Sequence, residues 1–148
     1  MLEVSDADVI CLQEHRLLGY SLPAAQDWAS KAGWGVPATA ALPGMGGKAK
    51  AGAALAIRNY IGSRCWPGLQ QGQATLVKGR AAGATVLTFA PGGLHCISAY
   101  FKDGIGLRGE NAKLMDSLED HLQGLEGPWI LGAPGAMGQE AGWNGGGP

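Results

Sequence analysis

The chain has 148 residues, a formal net charge of −1 and 46% hydrophobic residues. That is one domain, and folding should bury roughly 70% of the surface its unfolded chain exposes. No run approaches the roughly 20 apolar residues of a membrane span, and the charge lacks the basic excess of a dedicated DNA-binding domain.

The first clear strand is Val9–Leu12, an apolar run closed by Gln13 and Glu14. Such a run suits a strand covered on both faces, and it delivers a carboxylate to the edge of a sheet. Ser21 is placed to cap a helix with Pro23 in its first turn, running through Trp28 to a stop at Gly33. Strands are expected over Gly35–Leu42 and Ala53–Arg58, joined by the flexible PGMGGKAKAG. Gln73–Lys78 reads as another strand, ahead of a hairpin in which ATVLTF turns through APGG into LHCISAYF.

The spacing of Leu114, Met115, Leu118, Leu122 and Leu125 predicts an amphipathic helix over 110–122. Gly124 and Gly127 punctuate its end, and Trp129–Leu131 is the last expected strand. Residues 138–148 are expected to form a Gly-rich flexible tail behind a domain spanning 1–137. Hairpin-joined strands with helices kept outside predict an α/β sandwich with mixed, largely antiparallel sheets.

Few of the chemistry-bearing residues have a motif around them. Cys11, Cys65 and Cys96 contain no CxxC pair, which argues against a zinc or redox site; Cys11 and Cys96 read as small buried residues, and a reducing compartment fits. The acidic N-terminal stretch lacks a signal peptide's positive charge, so an intracellular location is expected, with nucleus and cytoplasm left open. His95 alternates with Cys96, so one of the two should face the core. His15 is expected to be solvated beside Glu14, and His121 to sit on the outer part of its helix. Gly104–Gly109 satisfies G-x-G-x-x-G, but the following strand carries no acid for a ribose. Gly46–Ala49 fails as a P-loop, with Leu42 at its first Gly and Ala49 at its Ser/Thr. Ser98 lacks a nucleophile elbow.

Three segments taken together, LQEHRL (12–17), the hairpin strand ending at Tyr100, and PWILGAPGAM (128–137), resemble the endonuclease/exonuclease/phosphatase superfamily of deoxyribonuclease-like, Mg²⁺-dependent phosphoesterases. AGAALAIR and the HRL after Glu14 look most like endonuclease domains of non-LTR retrotransposons. The resemblance covers roughly Asp8 to Met137. It implies a four-layer α/β sandwich of two packed sheets flanked by helices, incomplete here because family members carry further strands at both ends.

By that resemblance Glu14 matches the metal-binding Glu, and Tyr100 the phosphate-contacting Tyr as a relic position. Hydrolysis in the family is metal-assisted, with an Asp and a His orienting the attacking water. The family's G-D-x-N motif is altered here: its Asp position is Pro134 and its Asn position is Ala136. Proline and alanine supply neither carboxylate nor amide. The resemblance therefore implies a vestigial, inactive relative, with Mg²⁺ the family cofactor and none bound tightly. DNA is the partner by resemblance only, and self-association through exposed sheet edges is expected. The alternatives are a non-catalytic nucleic-acid or protein binding module and an altered phosphoesterase.

Overall fold

The centre of the protein is built from alanine. AALAIR (53–58) and AAGATV (81–86) are almost wholly buried on both faces, and side chains this small let two sheets and two helices approach closely. The computed structural model describes residues 6–88, 91–133 and 139–144, the last as backbone.

In chain order the elements are β1 (Val9–Gln13), α1 (Leu22–Lys31), β2 (Trp34–Gly35), β3 (Ala38–Thr39), β4 (Leu42–Pro43), β5 (Ala49–Lys50), β6 (Ala53–Arg58), β7 (Ser63–Cys65), β8 (Thr75–Val77), β9 (Ala81–Val86), β10 (Leu94–Ala99), α2 (Glu110–Leu122), β11 (Gly127–Gly132) and β12 (Gln139–Asn144). One sheet runs β1-β6-β2, with β3 also on β6. The other runs β12-β11-β10-β9-β7, with β8 also on β9, and β4 pairs with β5 in a short ribbon. Among the described residues every pairing is antiparallel except β10 with β11, which α2 joins as a crossover.

Three apolar clusters define four layers. Ala29, Trp34 and Ala56, with Ile10 and Leu12 against them, join α1 to the first sheet. Leu55, Ile57, Ala84, Val86 and Cys96 fill the space between the sheets. Ile97, Phe101, Leu114, Leu118 and Leu131 join the second sheet to α2. The protein is thus an α/β sandwich with mixed, mostly antiparallel sheets, and the helix expected over 110–122 lies there with its leucines inward.

Several local expectations give way. The strand expected over Gly35–Leu42 is three two-residue pieces, because Pro37 cannot donate to a ladder; its carbonyl accepts from Leu55 N instead. The linker after it holds a 3-10 turn at Met45–Gly47 and β5. Ser21 makes no side-chain cap, its backbone being already helical. The expected flexible tail is corrected in part: 139–144 form β12, paired antiparallel with β11. An edge strand can add through main-chain hydrogen bonds alone, with no apolar pattern to announce it.

His95 and Cys96 are both buried, since β10 is covered on both faces. His95 sits edge-on to Trp66 at 5.6 Å. Its Nδ1 accepts from the Thr85 hydroxyl at 2.8 Å, and its Nε2 donates to Glu126 O at 2.8 Å. His121 is not on an outer face; it is partly buried, and its Nε2 donates to Leu76 O at 2.9 Å.

β1 is an edge. Arg58 N donates to Asp8 O and Glu14 N to Gly52 O, so the register turns the even-numbered main-chain groups of β1 toward β6. Those of Val9, Cys11 and Gln13 face outward and have no strand partner among the described residues.

Burial pushes the Cys96 thiol up to about 12, helped by neighbouring Cys11. Below pH 9 the thiol is neutral in both folded and unfolded chains. Above it only the unfolded chain ionises, so this contribution to stability is lost as pH rises from about 9 to about 12. Denaturation midpoints should fall more steeply over that range in the native protein than in Cys96→Ala; parallel curves would show that Cys96 does not carry the effect.

Candidate functional site at the strand ends

The C-terminal ends of β1, β10 and β11 and the N-terminal ends of β6 and β9 lie at one end of the sandwich, as their registers require. Glu14, Ala51, Arg80, Tyr100 and Ala133 follow from that placement. The two sheets are tied here through Ser98, whose hydroxyl donates to Leu12 O at 2.9 Å and accepts from Gln13 Nε2 at 3.1 Å. Gln13 also reaches Gly132 O at 3.4 Å. A Cβ on Gly132 would stand 2.5 Å from Cys11 Sγ, so only glycine permits this approach.

Glu14 and Arg16 turn out of β1 with φ of 57° and 59°, and Ala51 opposite them has φ 61°. Three residues with side chains in left-handed backbone, gathered in one turn, are costly and persist only where their surroundings hold them. Main-chain bonds do so here: Glu14 N to Gly52 O at 2.7 Å, Arg16 N to Ala51 O at 3.0 Å and Gly52 N to Gly79 O at 2.8 Å.

His15 completes the lock and is not the solvated residue expected. Its Nδ1 accepts from Leu17 N at 2.9 Å, so Nε2 carries the proton that it donates to Thr39 O at 2.9 Å. Thr39 Oγ1 in turn accepts from Gly79 N at 3.0 Å. Both ring nitrogens are engaged in the fold, which leaves neither to face a ligand.

The turn aims Arg16 at Glu14, Nη2 to Oε1 at 2.7 Å. That hydrogen bond, with the carboxylate's charge, holds the exposed Arg16 guanidinium above its ordinary range. Tyr100 donates its backbone N–H to Arg80 O at 2.7 Å, and the Arg80 guanidinium lies 5.4 Å from its ring centre. Burial, then the negative charge of Glu14, raise the Tyr100 phenol, against the opposing charge of Arg80. The sequence-predicted pair, Glu14 and Tyr100, is therefore brought into one electrostatic neighbourhood. Pro134 and Ala136 lie outside the described residues.

Beside them is a cavity of about 110 Å³ lined by Lys50, Ala51, Arg80, Tyr100, Lys102 and Glu110. Arg80, its side chain only 17% exposed, bonds Glu110 at 3.1 Å. The loop leading into α2 is fixed by Asn111, which is 2% exposed. Its Oδ1 accepts from Lys102 N at 2.8 Å, and its Nδ2 donates to Lys102 O at 2.9 Å and Gly106 O at 2.6 Å. The G-x-G-x-x-G stretch is thus a loop organised by a side chain. Asn111 did not stand out in the sequence; the only signal was an amide at the first turn of a helix behind a Gly-rich loop.

Among the described residues the donor set at this end does not fit Mg²⁺. Mg²⁺ requires oxygen ligands in near-octahedral array, yet the carboxylates of Glu14 and Glu110 are each held by an arginine. Among the described residues no group of three or more His, Cys, Asp or Glu could hold a metal ion.

Asn111→Ala leaves buried main-chain groups without partners, a cost of about 1–3 kcal/mol, and should lower the denaturation midpoint while freeing 102–109 to proteolysis. An unchanged midpoint and cleavage pattern would remove Asn111 from this role. At Gly52, with φ 94°, a Cβ would lie 2.5 Å from His15 Cε1. Gly52→Ala should therefore destabilise by about 1–3 kcal/mol. His15→Ala in the same chain should recover part of the loss, as read from urea melts.

No family model matches the chain, and neither the curated proteins nor the solved structures contain a significant match to it.

Proposed function

We propose that the chain is a non-hydrolysing relative of the endonuclease/exonuclease/phosphatase superfamily, of retroelement descent, which keeps the scaffold and has lost the catalytic set. The observation that carries this reading is the 2.7 Å pairing of Glu14 with Arg16: the one carboxylate at the metal-binding position already has a cation of the chain's own. The four-layer arrangement and the meeting of Glu14 with Tyr100 support the kinship. The identities of Pro134 and Ala136 support the loss, since neither side chain can orient water or bind a metal. Groups of this kind act as a unit, so losing several leaves no partial enzyme.

A second reading is favoured by one observation, the cationic lining of the cavity at the same end. It is a non-catalytic module that contacts nucleic acid through phosphate. Self-association through the open edge of β1 is compatible with either reading, because an uncharged edge templates pairing.

The test is cleavage of supercoiled plasmid and of an abasic duplex in Mg²⁺ by the native chain, by Glu14→Ala, and by Pro134→Asp combined with Ala136→Asn. None should nick above background, because catalysis depends on close assembly of all parts. Nicking by the native chain that disappears in Glu14→Ala would overturn the reading in favour of an active phosphoesterase.

A further inference from the structure

We infer that the strand-end cavity is a phosphate cradle that works without a divalent metal, its net positive charge supplied by Lys50 and Lys102 beside the Arg80–Glu110 pair. The inference rests on the reading of this end as the ligand-facing end, and departs from the family's chemistry at the cation. Where the resemblance calls for a metal between carboxylate and phosphate, the two carboxylates here are occupied. Glu14 is bonded by Arg16 at 2.7 Å and Glu110 by Arg80 at 3.1 Å.

With both carboxylates neutralised, the remaining charge on the cavity wall is positive. Lys50 and Lys102 line it from two separate loops, and neither ammonium has an ion-pair partner among the described residues. Asp103 is the remaining acid whose charge acts on Tyr100, and Arg16 opposes it. The Tyr100 phenol is protonated at neutral pH, as an ordinary tyrosine is, and burial raises it further, so it is available as a donor. Lys50, Lys102, Arg80 and Tyr100 all line this one small space, and ammonium, guanidinium and phenol are groups that bind a tetrahedral oxyanion.

Size and rigidity agree with that chemistry. At about 110 Å³ the cavity is well below the roughly 300–1,000 Å³ of pockets that enclose a whole small molecule. It suits one phosphate group of a ligand whose remainder lies outside. Its floor is preorganised: Ala51 is held at φ 61°, Asn111 fixes the main chain of Lys102, and Glu110 holds Arg80 in place. Loops fixed in this way need little ordering when an anion arrives.

The experiment is titration of the full chain with inorganic phosphate, followed by calorimetry and by ³¹P line width, once in EDTA and once in Mg²⁺. Saturable binding of the same strength in both is expected. Lys50→Gln with Lys102→Gln, both exposed side chains, should weaken it about 10- to 100-fold with the melt unchanged; Lys50→Arg with Lys102→Arg should restore it. Absence of saturable binding by the folded chain, or binding that requires Mg²⁺ and is lost in Glu14→Gln, would overturn the cradle. So would undiminished binding by the Lys→Gln pair. Competition by a 5′-phosphorylated oligothymidylate, and not by its unphosphorylated form, assigns the phosphate to a nucleic-acid end; competition by neither assigns it to free phosphate, and the cradle stands in both cases. Glu14-dependent nicking of plasmid would sink the non-hydrolysing reading while leaving the phosphate titration to decide this one.

Discussion

One hydroxyl holds the working end of this protein together. Ser98 donates to the first sheet at Leu12 and accepts from Gln13, and so fixes how β1 lies over β10 and β11. Together with the bonds from Gln13 to Gly132 O and from Gly52 N to Gly79 O, that tie sets the turn at Glu14 relative to the second sheet. The neighbouring close contact, Gly132 under Cys11, shows how little room the tie leaves. Hydrogen bonds inside a covered sandwich are stronger than their counterparts in water, and leaving one partner unsatisfied costs more than the bond itself contributes. Position, rather than bulk stability, is what this small network provides.

Electrostatics at the same end share a pattern: the carboxylates of Glu14 and Glu110 each sit on an arginine, and Lys50 and Lys102 have no ion-pair partner among the described residues. Arg16 is exposed, so its pair with Glu14 contributes little to stability. Its consequence is local, because it engages one oxygen of the carboxylate that follows β1. Arg80 is mostly buried, and its bond to Glu110 anchors the start of α2 to the loop before β9. An acidic residue in the first helical turn also suits the helix dipole. In the proposed reading these pairings take over the charge balance that a divalent ion would otherwise supply.

The sequence made some of this legible and hid the rest for definite reasons. Leucines at helical spacing announced α2, and alternating or continuous apolar runs announced β1, β6 and the β9–β10 hairpin, since burial writes its period into side chains. Gln13 and Glu14 were legible as strand-end residues from the apolar run they close, and Tyr100 through the resemblance. Asn111 was not: a buried amide serving main-chain groups looks, in sequence, like any polar residue at a helix start. His15 read as solvated because its partners, Leu17 N and Thr39 O, are backbone atoms that every residue carries. The cavity lining was invisible because Lys50, Arg80 and Lys102 come from separate loops, each an ordinary surface charge until the fold gathers them. β12 escaped because its pairing lies in the main chain.

The outward parity of Val9, Cys11 and Gln13 has a consequence for how the protein breathes. Amide protons on a single strand need not share one fate: those of Ile10 and Leu12 are locked into β6, while those of their neighbours face away from it. In deuterated solvent β1 should show a comb, alternate amides exchanging in the fast regime of fraying edges and the rest only when larger segments open. An incoming strand that pairs with this edge would erase the comb, so the exchange pattern of five residues reports whether the sheet ends at β1 or continues into another chain.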